Sequence, residues 1–302
     1  MIVRVPASSA NLGPGFDALG LALSIYLECR FRPAGKLTIR VSGRDAEEIP
    51  TSEENLIWQT ALAVARDMGE TLPAVELDVR NDIPIGKGLG SSAAALTAGV
   101  IIADQLLGLG WKPLRILDEA ARIEGHPDNV SACVLGSIVA SAIDTRGETR
   151  AVRIDLPAKM NLAVVVPDFQ LATSKARAAL PATYSREDAV FNIQRSALLI
   201  AALATASMSA FPAALEDRIH QPYRAPLIPG MEEILRLRAP GLLGCTLSGA
   251  GPSILVFYER GFEPVCDLVR QIFALHGHQA EVLWPVIADH GYELFNEDGT
   301  RV

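Results

Sequence analysis

Pro84-Ile85-Gly86-Lys87-Gly88-Leu89-Gly90-Ser91-Ser92-Ala93-Ala94 stands between two different periodicities. Before it, Ala74 to Val79 alternates apolar and polar residues as a strand does; after it, Ser92 to Leu107 is rich in helix formers. A strand, a glycine turn and a helix in this order build an anion site. Gly86, Gly88 and Gly90 let the backbone approach a ligand closely, and Ser91 and Ser92 are placed to cap the helix. The first N–H groups of the helix then face a phosphate. Lys87 would add a point charge, and a serine hydroxyl is a hard oxygen ligand suited to Mg²⁺. A bare glycine turn would read as a tight connection and nothing more, but the density of features here favours phosphate. The spacing is neither GxxxxGK[ST] nor GxGxxG. Lys87 lies inside the loop and Leu89-Gly90-Ser91-Ser92 closes it, so P-loop and dinucleotide-binding assignments both fail.

Working outward, Glu54 to Met68 reads as a helix, and the polar turn Asp144 to Glu148 precedes an apolar strand at Leu162 to Val166. A division into domains of residues 1–150 and 151–302 is placed there. The second half offers a long Ala-rich helix (Ala189 to Ser209), a strand, a glycine turn, a strand (Ile254 to Tyr258) and a helix (Glu263 to Leu275). That order suits a helix-backed antiparallel sheet, so the class is α+β rather than doubly wound. The final NEDGTRV reads as a loose tail.

With 302 residues, 49% of them hydrophobic, the chain can bury a large core. Its net charge of -8 is spread without a long like-charge run, which argues against nucleic acid or an anionic membrane as partner and for a small molecule. No stretch has the roughly eighteen apolar residues of a membrane span, and the first residues lack the apolar run of a signal peptide. The expected location is cytoplasmic. Cys29, Cys133, Cys245 and Cys266 form no CxxC pair and read as reduced core thiols.

PIGKGLGSSAA resembles the ATP-binding signature of the GHMP kinases. Three further stretches are similar to the homoserine-kinase branch of that family: VPASSANLGPGFDALGLAL from Val5, EGHPDNV from Glu124, and LSGAGPS from Leu247. They occur in the family's order over nearly the whole chain. The resemblance implies an α+β GHMP kinase fold, with an N-terminal domain like ribosomal protein S5 domain 2 and a C-terminal ferredoxin-like GHMP domain. It also implies transfer of phosphate from ATP, with Mg²⁺, to L-homoserine.

By the same resemblance, Asn11 and Asp17 meet the substrate, with Asp17 at its ammonium group. Arg177, four residues after Thr173, and Arg224 hold the substrate carboxylate, where a guanidinium fork matches a carboxylate. His126 belongs to the substrate pocket, while Asp128, Asn129 and Lys87 lie near the transferring phosphate. Whether Asp128 acts as a general base is left open, since a loose phosphoryl-transfer transition state depends mainly on positioning and charge. Residues Pro84 through Ala94 cradle ATP. Asn55 either borders the adenine pocket or is an ordinary helix cap. Ser92 and Glu124 are the expected Mg²⁺ ligands, with Glu119 and Asp118 as alternatives. The Ser248-Gly-Ala-Gly turn should pack on the phosphate loop, and a homodimer is expected.

Two other readings compete. A GHMP kinase for mevalonate, shikimate or a sugar would share the glycine loop, but the paired arginines argue for an amino-acid carboxylate. A non-catalytic binding protein of this fold would show a damaged loop or missing carboxylates. Neither defect is present.

Overall fold

In the computed structural model, which describes residues 1–302, the chain opens with two long paired strands, β1 (Ile2–Asn11) and β2 (Gly15–Pro33). Then follow β3 (Thr38–Gly43), α1 (Leu56–Asp67), β4 (Val75–Asn81), α2 (Ser91–Leu107), α3 (Pro113–Glu124), α4 (Asp128–Leu135), β5 (Ile138–Ile143) and β6 (Thr149–Ile154). The second half contains β7 (Asn161–Pro167), α5 (Thr173–Ala178), α6 (Arg186–Thr205), α7 (Phe211–Ala214), α8 (Gln221–Arg224), α9 (Met231–Arg236), β8 (Leu242–Leu247), β9 (Ile254–Tyr258), α10 (Val265–Leu275), β10 (Ala280–Leu283) and β11 (Glu293–Phe295).

Two sheets result. The first is seven-stranded, in the order β11-β1-β2-β4-β3, with β5 on a separate stretch of β2 and β6 on β5. One strand, β2, serves both branches because of its length: Leu27 to Pro33 pair with β4, and Leu19 to Leu21 pair with β5. The second sheet is antiparallel in the order β10-β7-β9-β8, that of a ferredoxin-like unit. Its central strands are apolar throughout because both faces are covered. Leu162, Val164, Leu255 and Phe257 join the main core, while Ala163, Val165, Ile254 and Val256 pack with Val269 and Phe273 of α10. The same alternation that gives each face its residues also ties the second sheet into the core of the first.

Helix α2 is buried along most of its length and so carries little polar residue content, whereas α3 is amphipathic and starts with Pro113 in the first turn. The start of α4 is seated on β2 at Gly20, where a Cβ would overlap the Asp128 carbonyl. That close approach brings the Glu124 to Val130 segment beside the β1–β2 turn.

Two details differ from the sequence reading. Residues 149–154 form β6 and pair with β5, so the chain leaves the first sheet only after Ile154. The segment read as a loose tail is folded back: Asn296 N–H donates to Thr300 C=O, Val302 N–H to Leu294 C=O, and β11 pairs with the outer edge of β1. The cause is the open edge of β1, whose backbone groups at Ile2 to Arg4 need partners. No helix is long and apolar enough to cross a membrane.

Candidate active site

The loop between β4 and α2 takes left-handed φ at Gly86, Gly88 and Gly90 (68°, 79° and 67°). The carbonyls of Gly86, Lys87, Gly88 and Leu89 are taken from outside the loop. Leu171 N–H donates to Gly86 C=O, Ser253 N–H to Lys87 C=O, Ser248 Oγ to Gly88 C=O at 2.7 Å, and Ser8 N–H to Leu89 C=O. The first helical bond of α2 is Ala94 N–H to Gly90 C=O, so every backbone N–H from Gly86 through Ala93 lacks an acceptor in the protein. With the carbonyls turned outward and the N–H groups gathered inward, the loop is an anion nest at the positive end of a helix. The Ser248 turn does pack on this loop.

The serines do not cap the helix. Gly90 is the N-cap, and Ser91 and Ser92 are the first helical residues, both lining the cleft. Positive φ at the cap position explains this, because serine tolerates it poorly. Ser92 Oγ lies 3.4 Å from Glu124 Oε1, and burial raises the pKa of Glu124 even though His126 lowers it.

A cleft of about 260 Å³ opens on the nest and is lined at its other end by Asn11, Asp17, His126, Thr173, Arg177 and Arg224. Asn11 and Asp17 adopt positive φ (72° and 54°), which Asn and Asp accept more readily than other side chains. The Asn11 amide bridges Asp17 N–H and Gly249 C=O and thereby sets the carboxylate of Asp17. Asp17 pairs with both terminal nitrogens of Arg177, at 2.8 and 3.1 Å. Its hydrogen bond with Asp17 raises the Arg177 pKa. Arg224 is buried; desolvation and the Arg177 charge push it down to about 10, which leaves it charged at neutral pH. Its Nε donates to Ala176 C=O and its Nη1 to Gly249 C=O, while Nη2 has no acceptor.

His126 Nδ1 lies 2.6 Å from Asp128 Oδ1, the oxygen that also accepts Asn129 N–H. Ligand atoms of Asp17, His126 and Asp128 lie within 4.8 Å of one another. Asn129 is held by the Ser8 hydroxyl, which donates to its Oδ1 at 2.9 Å.

Residues 55–137 match the GHMP kinases N terminal domain, and residues 199–264 match the GHMP kinases C terminal domain. A homoserine kinase of Solibacter usitatus is 70% identical over 97% of this chain and 96% of its own length. The chain belongs to the homoserine kinase family. A homoserine kinase of Deinococcus radiodurans is 45% identical, covering 85% of this chain and 84% of that protein. The crystal structure of homoserine kinase from Cytophaga hutchinsonii superposes with a TM-score of 0.83 at 28% identity, covering 97% and 96% of the two chains.

Within this homoserine-kinase cleft, the structure brings together Asn11, Asp17, Ile85, Gly86, Gly88, Gly90, Ser91, Ser92, Glu124, His126, Asp128, Asn129, Thr173, Arg177 and Arg224. Pro84 shapes the loop, and Leu89, Ala93 and Ala94 lie buried behind it. Lys87 is a correction. Its Nζ donates to the carbonyls of Pro167 and Phe169, both at 2.8 Å, on the far side of the loop. Those two carbonyls, at the end of β7, capture the ammonium, so only the Lys87 backbone belongs to the nest. Glu119 is held by Arg115 and Arg122, and Asp118 accepts Thr149 N–H; neither lines the cleft.

Asn55 caps a helix and also lines a cavity. Its side chain accepts Ile57 N–H as the cap of α1, donates to Pro50 C=O, and lines a second cavity of about 210 Å³. That cavity shares Ile85, Ser91 and Ser92 with the first. Sequence reasoning passed over Ser8 and Phe16, although both lie inside the quoted N-terminal motif.

Proposed function

We propose that this chain transfers the γ-phosphoryl group of ATP to the side-chain hydroxyl of L-homoserine, giving O-phospho-L-homoserine for threonine biosynthesis. One observation carries the reading: the loop of unpaired N–H groups, through Gly86, Gly88, Gly90, Ser91 and Ser92, lines the same cleft as a carboxylate and two guanidinium groups. The nest supports phosphate binding, and the apolar walls at Leu27, Pro50, Ile57 and Val79 in the adjoining cavity suit a purine. At the other end, Asp17 suits an ammonium group, and Arg177 with the free Nη2 of Arg224 suits a carboxylate.

Ser92 and Glu124 fit Mg²⁺, since a hydroxyl and a carboxylate oxygen 3.4 Å apart are hard donors facing the nest. Bound there, Mg²⁺ neutralises charge on the polyphosphate. The chain's own residues do the rest by placement. His126 and Asn129 N–H fix Asp128 through Oδ1, and Asp128 Oδ2 has no partner, so it is the oxygen that takes the hydrogen bond of the substrate hydroxyl. The N–H nest and the α2 dipole stabilise the transferring group without moving. A cytoplasmic location goes with this reading, where four buried, unpaired cysteines stay reduced.

The test is ADP release from Mg-ATP with L-homoserine, mevalonate, shikimate and galactose offered separately, and the product identified by mass. Turnover is expected with homoserine. Turnover with another acceptor and none with homoserine would overturn the substrate assignment.

A further inference from the structure

The roles assigned so far leave out one buried titratable group beside the cleft. His220, immediately before α8, is fully buried. Its Nε2 lies 2.7 Å from the Gly13 carbonyl oxygen, and its Nδ1 lies 3.2 Å from Arg224 Nη1. A carbonyl can only accept and a guanidinium can only donate. The ring is therefore neutral, with its hydrogen on Nε2 and the Nδ1 lone pair directed at Arg224. The environment agrees: burial lowers the His220 pKa, and Arg224 lowers it further against the opposing charge of Asp217.

Further contacts lock the ring from other sides. It stacks on Phe16, with centroids 5.3 Å apart and planes 24° apart, and the same Phe16 ring lies under the guanidinium carbons of Arg224 (5.3 Å) and Arg177 (5.7 Å). Asp217 accepts the N–H groups of Ile219, His220 and Gln221, which fixes the backbone that carries the ring. Asn192 joins Asp217 to Pro14 C=O. One network thus holds the Gly13-Pro14 turn near the N-terminus and Arg224 in the C-terminal half.

We propose that His220 is a positioning residue for substrate recognition. Through Nδ1 it fixes the rotation of Arg224 so that Nη2 faces the cleft, and through Nε2 it registers that arginine against the turn bearing Asn11 and Asp17. The inference rests on the reading of Arg224 as a carboxylate ligand. With Nε and Nη1 committed to the protein, the guanidinium offers the substrate one nitrogen, and its direction is set by the partners of the other two, among which His220 is the one side chain beside the Ala176 and Gly249 carbonyls.

Steady-state kinetics on His220→Gln, His220→Asn, Arg224→Ala and the Gln/Ala double variant test this, with thermal midpoints measured in parallel. Gln keeps a donor near the Nε2 position but no acceptor at Nδ1, whereas Asn places an oxygen near Nδ1 and gives up Gly13. Losing an acceptor for a charged donor predicts that His220→Gln raises the homoserine KM about tenfold and leaves the ATP KM unchanged. His220→Asn should stay within about threefold of the parent, and the Gln change should add nothing in the Arg224→Ala background. Equal losses in both His220 variants with an unchanged homoserine KM, or full additivity with Arg224→Ala, overturn the inference alone. An unchanged homoserine KM in Arg224→Ala overturns the carboxylate reading and this inference with it.

Discussion

Burial alone would strip the proton from His126, but the Asp128 hydrogen bond and charge, with Glu124, outweigh it and the pKa is raised. A pKa raised by folding means that the folded state holds the proton more tightly than the unfolded chain. The contribution is then complete below the unfolded value of about 6.5 and is lost as pH rises through the folded value. The difference in thermal midpoint between the parent and His126→Gln should therefore be largest near pH 6 and shrink toward alkaline pH. A difference that grows with pH would mean the imidazole is neutral in the cleft. At this scale the grouping of Glu124, His126 and Asp128 was legible in the sequence, because such short-range neighbours are held by the turn that contains them. Lys87 was not. A lysine stem is long, and the direction of its ammonium was settled by Pro167 and Phe169, some eighty positions away. His220 was not legible although it stands four residues before Arg224, because its partner Gly13 lies some two hundred positions away in the sequence.

The glycine loop and α2 work as one element, and Gly90 is their joint. It has a φ of 67°, and a Cβ there would overlap the Ser8 hydroxyl. Gly90→Ala should destabilise the protein by about 1–2 kcal/mol for the left-handed backbone alone, with the overlap adding to this. Repeating the substitution in a Ser8→Ala background removes the overlapping oxygen but not the backbone strain. Denaturant unfolding should accordingly show a smaller cost there, and an equal cost in both backgrounds would show that Ser8 yields freely. Strand and helix positions around this joint were legible from their periodicities. The capping role expected of the serines was not, because it depends on the φ of the preceding glycine rather than on composition.

At the scale of the whole molecule, one main core spans both sheets, and the clasp of Lys87, Arg44 with Glu281, and Glu48 with Gln170 bridges them at the surface. The α+β class and the antiparallel second sheet could be read from the order of elements. What escaped was the return of the chain to its starting sheet, since three residues of β11 carry too little pattern to mark a strand. Deleting residues 293–302 uncovers the β1 edge. Loss of a few net hydrogen bonds predicts a cost of about 2 kcal/mol, read as a lower thermal midpoint, together with self-association in size-exclusion chromatography. An unchanged midpoint and a monodisperse peak would show that β11 only decorates the sheet.

The pairing of Ile2 with Phe295 also sets an order of events during synthesis. Synthesis runs from β1 toward β11 at about 5–20 residues per second, so the edge at Ile2 to Arg4 stays uncovered until Glu293 to Phe295 have followed it out. Each nascent molecule thus carries an unprotected edge through the making of every element between the two strands, and a neighbouring nascent chain or a chaperone can meet that edge before β11 seals it.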